Sequence, residues 1–355
     1  MNSKEPKKIL FLFTELSGYM LHCFKIAQQS GFEIHVIKYP VNKEAPFEFK
    51  SENEIYLYDR KQFNSKQDLL NIIRNLSPQL LLISGWIDEL YLKIVKENTL
   101  KCKKVLLLDT PWENKLKQKI WMNFFKFSYL KYFNSVWVPG YKQLQYARKL
   151  GFKEAHIFQG LYTCNFDLFK KIFDKSFSKK KQIFPKKFLY IGRYIDSKGI
   201  KELSKLFIEI LDEYNLNWEL WCVGTGEKWD DRIVHKNIKH LGFLQPEELK
   251  DVVSQTGVFV LPSKYEPWGV VLHEMVASGM PVLVSDQVGS IHTFLNNNVN
   301  GMSFSYFKKE DFKNKLLKFM HLSDQELLKM GEESVLLSKK KTPAKWVETL
   351  NQIYE

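Results

Sequence analysis

The chain lacks the features that would put it across a membrane, in a disulfide-stapled secreted class, or at a thiolate metal centre. No run of about 18 or more uncharged apolar residues occurs, so the sequence offers no membrane-crossing helix. The four cysteines, Cys23, Cys102, Cys164 and Cys222, are scattered without Cys-x-x-Cys spacing. They fit buried thiols in a reducing cytoplasm better than disulfides or a zinc site. The eight histidines show no ligand spacing. The first eight residues, Met-Asn-Ser-Lys-Glu-Pro-Lys-Lys, lead only into the short apolar run Ile9 to Phe13 and do not read as a signal peptide. A cytoplasmic protein is the expectation.

What is present is ordinary in bulk. At 355 residues the chain is long for one core and comfortable for two domains. Hydrophobic residues at 45% and charged residues at 26% describe a globular protein. The net charge of +13 attracts polyanions, yet the lysines are spread along the chain and no nucleic-acid-binding motif accompanies them. No nucleic-acid partner is expected. A negatively charged membrane surface, or anionic nucleotide and lipid-phosphate substrates, matches the excess better.

Strand-like and helix-like segments alternate through the first half. Ile9 to Thr14, Glu33 to Tyr39, Ile55 to Tyr58, Leu80 to Ser84, Val105 to Asp109 and Ser135 to Val138 read as strands, with helical patterns over Tyr19 to Gln29 and Gln67 to Asn75. Continuous apolar runs such as Leu80 to Ile83 indicate parallel strands buried on both faces. The Lys-rich, pattern-poor stretch near 173–187 reads as a linker between a first domain over 1–172 and a second over 188–338. After it, 339–355 holds a last helix that Thr342-Pro343 can start, carrying Trp346, Leu350 and Ile353.

The most informative segment runs from Pro262 to Met275. An apolar strand, Val258 to Leu261, enters a loop with Pro, Gly and Glu266, and the loop opens a helix that ends at Ser278-Gly279. The unpaired amides of the first turn, at Gly269, Val270 and Val271, are pre-aimed donors for phosphate or hydroxyl oxygens. Glu274 lies roughly 7 Å further along the axis, at 1.5 Å per residue, and suits a carboxylate accepting from two ribose hydroxyls. Glu266, still in the loop, faces whatever extends beyond the phosphates, for which a sugar is the natural candidate.

The pair Glu266 and Glu274 resembles the Glu-x7-Glu signature of the retaining glycosyltransferase family four. Its surroundings extend the likeness in order over roughly 188–306: Gly192-Arg193 and Lys198-Gly199 after a strand, Gly224-Thr-Gly226 after another, Gly242-Phe243, and Gly279-Met-Pro281 after the second Glu. The resemblance implies a GT-B fold: α/β, with two Rossmann-like domains facing across a cleft and a C-terminal helix crossing back to the first. The first domain would be the acceptor side and the second the nucleotide-sugar donor side.

The same resemblance implies roles. Arg193 and Lys198 would clamp a diphosphate and stabilise charge as the sugar leaves. Gly192, Gly224, Phe243, Trp268, Gly269, Val270, Val271 and Glu274 would contact the donor, with Glu266 beside the reacting sugar. Gly18 follows the first strand, where the family usually has a Gly-Gly loop touching the donor phosphate; only one Gly stands here, and turn chemistry explains it equally. Asp109 stands near the position of the family's cleft His, as an acceptor-orienting residue with Trp112 against a sugar face, or as a cap for a helix beginning near Trp112. At Gly160-Leu-Tyr162 the family's Asp is a Tyr, which is left unassigned. His273 points away from Glu274 and reads as a packing residue. No Asp-x-Asp metal clamp occurs, so no metal and no cofactor are expected, only a UDP- or GDP-sugar as co-substrate.

The expected activity is therefore transfer of a sugar, hexosyl or related, from a nucleoside-diphosphate sugar to a carbohydrate or lipid-linked acceptor hydroxyl, in bacterial-type surface polysaccharide or glycolipid assembly. An epimerase or phosphorylase of the same fold, or a non-catalytic sugar-nucleotide-binding protein, is the alternative. The stretch 113–133 interleaves Lys115, Lys117, Lys119, Lys126 and Lys131 with Trp121, Phe124, Phe125, Phe127, Tyr129, Leu130, Tyr132 and Phe133. It reads either as a helix seated at an anionic membrane surface, which would make the protein peripheral at the inner face, or as a helix packed on the first domain's sheet.

Overall fold

Thirteen parallel strands organise the described part of the chain into two separate sheets. The structure, a computed structural model, describes residues 6–40 and 55–355; Met1 to Glu5, within the segment judged not to be a signal peptide, lie outside it. The described residues fall into two compact units, the first holding 6–40, 55–163 and 343–355 and the second holding 164–342.

In the first unit the elements are β1 (Lys7–Leu12), α1 (Gly18–Gln29), β2 (Phe32–Lys38), β3 (Ile55–Asp59), α2 (Lys66–Leu76), β4 (Leu80–Ser84), α3 (Glu89–Val95), β5 (Lys103–Leu107), α4 (Leu116–Ser128), β6 (Ser135–Val138), α5 (Tyr141–Leu150) and β7 (Ile157–Gln159). The sheet order is β3-β2-β1-β4-β5-β6-β7, every pairing parallel. Both faces of this sheet are apolar because strand side chains alternate. In β1, Ile9 and Phe11 join one core with Phe24 of α1, while Leu10 and Leu12 join another with Leu69 of α2, Tyr91 of α3 and Phe125 of α4. Local signals set the helix ends. Ser65 and Asp68 form a reciprocal capping box at the start of α2, and Gly151 closes α5 in the left-handed region at φ 98°.

The second unit contains α6 (Phe166–Gln182), β8 (Lys187–Ile191), α7 (Ile200–Tyr214), β9 (Glu219–Val223), β10 (Ile238–His240), α8 (Leu249–Ser254), β11 (Val258–Leu261), α9 (Val270–Ala277), β12 (Val282–Ser285), α10 (Ile291–Phe294), β13 (Gly301–Phe304), α11 (Lys309–His321) and α12 (Asp324–Ser338). The order is β10-β9-β8-β11-β12-β13, again all parallel. Helices α7 and α11 cover one face, with Phe188, Tyr190 and Phe207 in the core, and α6, α8, α9 and α12 pack together elsewhere in the unit.

The last helix, α13 (Pro343–Tyr354), belongs to the first unit, as expected. Trp346, Val347, Leu350 and Ile353 share a core with β1 and α1; the Trp346 Nε1 donates to the Leu161 carbonyl at 2.9 Å, and its ring lies 4.8 Å from that of Trp137.

The expected linker is corrected. Most of 173–187 lies in α6, and the second unit begins at Cys164. The buried stripe of α6 is Phe169, Ile172, Ser176 and Lys180, a helical spacing hidden from a hydrophobicity reading because two of its four members are polar. Lys180 is tolerated there because its ammonium donates to the Val253 carbonyl at 2.9 Å, although burial pulls its pKa down to about 7.

Candidate active site

Strand order alone marks a location in the second unit. With β8 central, the connections run one way through β9 and β10 and the other way through β11, β12 and β13, so the order reverses between β8 and β11. In open parallel sheets ligands bind beyond the carboxyl ends of the strands at such a reversal. The loop after β8 carries Gly192, Arg193 and Lys198; the loop after β11 carries Ser263, Glu266 and Gly269.

These loops meet backbone to backbone. The amides of Lys264 and Tyr265 donate to the Ser197 carbonyl at 2.9 and 3.2 Å. Gly199 sits at φ 70°, and a Cβ there would lie 2.1 Å from the Pro262 carbonyl oxygen, so only glycine permits this approach. Gly224, after β9, is likewise pressed onto the Gly192 carbonyl, at 2.0 Å from where its Cβ would be, while its amide donates to Gly242 at 2.7 Å. The half-buried Phe243 follows directly.

Across this join Lys198 Nζ donates to Glu266 Oε2 in an ion pair whose side chains are only 15% and 14% exposed. A pair so shielded is screened less than a surface pair, and removing one partner leaves a charge with little water around it. Arg193 is half-buried in the same loop, and its carbonyl accepts from the Tyr190 hydroxyl at 2.9 Å. Gly269, at φ 84°, caps α9, so the first-turn positions Val270 and Val271 begin immediately after the Glu266 loop. Glu274 follows one turn later. Its carboxylate makes no hydrogen bond or ion pair among the described residues, and burial pushes its pKa up to about 7.

Other expectations are resolved by packing. Trp268, placed at the donor by resemblance, is buried with its ring edge-on to Phe294 at 6.3 Å, which makes it a packing residue beneath the loop. Its Nε1 and the Oγ of Ser263 are buried without a hydrogen-bond partner among the described residues. His273 is a packing residue: Nδ1 accepts from the Cys164 amide at 3.1 Å, Nε2 donates to the Ser338 carbonyl at 3.0 Å, the ring stacks on Phe294 at 4.2 Å, and burial pulls its pKa down to about 3.

The remaining candidates lie at the carboxyl end of the first unit's sheet. Gly18 is the first residue of α1, and a Cβ there would meet nothing within 4 Å, so no close approach demands glycine. Asp109 lies two residues beyond β5 rather than at its end, and it caps no helix, since α4 starts after Lys115 without a side-chain cap. Its carboxylate instead accepts from the Tyr162 hydroxyl at 3.4 Å, and its carbonyl accepts from the Gln143 side-chain amide at 2.9 Å. The surrounding protein, and to a lesser degree the charge of Glu15, raise the Asp109 pKa, although part of the residue stays open to solvent. The two departures from the family pattern, Asp109 and Tyr162, thus touch each other. Their separation by 53 positions hid this from the sequence. Trp112 packs on Tyr146 at 5.3 Å, with Lys149 Nζ 5.0 Å from its ring centroid, so a neighbouring ring and a cation already engage it. Among the described residues no group of three or more His, Cys, Asp or Glu is placed to hold a metal ion.

Comparison with solved structures defines the class of fold. Sucrose-phosphate synthase from Thermosynechococcus elongatus superposes with a TM-score of 0.76 at 15% identity, covering 98% of each chain. Anabaena HepE, solved in complex with UDP and glucose, superposes with a TM-score of 0.72 at 13% identity over 97% of this chain and 99% of that one. The fold is GT-B. Within it, residues 170–335, a little under half the chain, match the family described as Glycosyl transferases group 1. Two uncharacterised glycosyltransferases of Methanocaldococcus jannaschii are 35% identical over 124 residues and 26% identical over 174 residues, covering 33% and 47% of this chain. These matches span only 31% and 47% of those relatives' lengths.

Proposed function

We propose that the protein is a retaining glycosyltransferase that moves a sugar, hexosyl or related, from a UDP- or GDP-sugar to a carbohydrate or lipid-linked acceptor hydroxyl without an essential metal, in assembly of a surface polysaccharide or glycolipid. The observation that carries the reading is the shielded Lys198–Glu266 pair at the strand-order reversal of the matched domain, with the unpartnered Glu274 on the helix that follows the Glu266 loop. HepE's complex with UDP and glucose, at a likeness that speaks to fold, supports the donor class.

In this reading the second unit holds the donor. First-turn amides of α9 and the cations Arg193 and Lys198 take the diphosphate. An ammonium has three protons, so Lys198 can hold a phosphate oxygen while keeping Glu266 beside the sugar hydroxyls. Glu274 accepts from the ribose hydroxyls, which satisfies a carboxylate whose charge burial otherwise disfavours. The bond from the anomeric carbon to the phosphate oxygen breaks, the acceptor oxygen bonds to that carbon on the same face, and the acceptor proton passes to the departing phosphate. Asp109 orients the acceptor hydroxyl.

The test is a donor screen by thermal shift followed by measured nucleoside diphosphate release. Release that needs both donor and acceptor is expected and should persist in excess EDTA. Donor conversion without acceptor would point to an epimerase, a requirement for inorganic phosphate to a phosphorylase, and tight donor binding with no turnover to a non-catalytic binding protein.

A further inference from the structure

Helix α4 is apolar on two opposite sides, and only one of them is used by the fold. Phe125 is fully buried, and Trp121 and Met122 pack against the same core. On the other side Leu116, Ile120, Phe124 and Phe127 are 72%, 62%, 48% and 83% exposed. At about 100° per residue these four fall within an arc of about 80°, centred opposite the buried side. The other exposed large apolar residues occur singly on separate elements, which is ordinary for a protein surface; four on one 13-residue helix is not.

Charge says what the stripe faces. Exposed Lys117 borders one edge of it, and exposed Lys119 and Lys126 the other. From Asn114 to Lys153 the chain has nine Lys and Arg and no Asp or Glu. We infer that α4 is a docking surface for an anionic lipid bilayer, lying in the plane of the interface with its apolar stripe among the acyl chains and its lysines at the headgroups. A second copy of the chain would bring like charges together in a two-fold contact. Nucleic acid would satisfy the lysines and leave Leu116 and Ile120 against phosphate. A bilayer satisfies both. At 13 residues, about 20 Å long, α4 is too short to span, and no helix among the described residues is long and apolar enough to cross a membrane. Its inner side anchors it to the core, so docking requires little ordering of the helix itself.

This inference stands on α4 alone and does not depend on the catalytic reading. The test is sedimentation of the purified full chain with vesicles, which needs no turnover. Pelleting is expected with 30% phosphatidylglycerol in phosphatidylcholine and not with pure phosphatidylcholine, weakening as salt rises. The variant Lys117→Glu, Lys119→Glu, Lys126→Glu should lower the vesicle partition coefficient by about 100-fold or more. A second variant, Leu116→Ser, Ile120→Ser, Phe127→Ser, should also lose pelleting while keeping the wild-type melting temperature, since all three side chains are exposed. Wild type that never pellets, or pelleting unchanged in both variants, would overturn the inference. So would a concentration-dependent dimer in analytical ultracentrifugation that the serine variant abolishes, which would assign the stripe to self-association.

Discussion

The carboxyl ends of the two sheets differ in what holds them together. In the second unit the loops after β8, β9 and β11 are tied by backbone hydrogen bonds and glycine contacts, with one shielded ion pair across the join. In the first unit the candidates rest on side chains: Asp109 under the Tyr162 hydroxyl, Tyr162 edge-on to Tyr19 at 5.7 Å, and Trp112 between Tyr146 and Lys149. A backbone-built surface suits a ligand part common to many enzymes, such as a diphosphate. A side-chain surface can change with the acceptor. The family match covers 170–335 and stops short of the candidates in the first unit, which agrees with that division.

The division predicts a gradient of effects. Arg193→Ala or Lys198→Ala should cut turnover by roughly 100-fold or more, as loss of a preorganised cation at developing charge does; full turnover in both would break the assignment of the donor to the second unit. Glu274→Gln should weaken donor binding by about 1.5–3 kcal/mol by loss of charged hydrogen bonds. It should also separate function from stability. The folded pKa of about 7 lies above the ordinary 4.5, so this group's contribution is fully present below pH 4.5 and lost as pH rises through 7. Gln cannot ionise, so denaturant titration should find the variant more stable than wild type at pH 8 by about 2–3 kcal/mol at most, and equal near pH 4. A variant destabilised at pH 8 would mean that the carboxylate is structural.

On the acceptor side the effects should be smaller and should spare the donor. Asp109→Asn is expected to raise the acceptor KM or lower kcat by about 10-fold with the donor Kd unchanged, in the range of a single charge-assisted hydrogen bond. Tyr162→Phe, which deletes one long hydrogen bond to that carboxylate, should cost a few-fold at most, about 0.5–1 kcal/mol. If either variant weakens the donor more than the acceptor in product-formation kinetics, the contrast between the two sheet ends fails.

Much of the fold was legible because the strands are continuous apolar runs and the turns need particular residues. Val258 to Leu261 and Leu80 to Ser84 appear as read. The boundary at 173–187 was misread because α6 buries Ser176 and Lys180, which a hydrophobicity pattern counts as solvent-facing. Helix α4 defeated the pattern in the opposite way. Its apolar residues surround the axis, so periodicity could not say which side is covered; Phe125 packs into the core, and the exposed side is the one the docking inference concerns.

The sequence by itself determined what depends on neighbours along the chain: the strands, the loop-to-helix turn at Gly269, the spacing of Glu266 in that loop and Glu274 on the helix after it, and a terminal helix with an apolar face. Only the tertiary structure decided what depends on distant segments meeting. Lys198 pairs with Glu266 across 68 positions, Tyr162 reaches Asp109 across 53, and Phe127 is left exposed while Phe125 is buried two residues away. The physical reason is that backbone conformation is set by local sterics and hydrogen bonding, whereas burial and charge pairing are properties of the environment that the rest of the chain supplies.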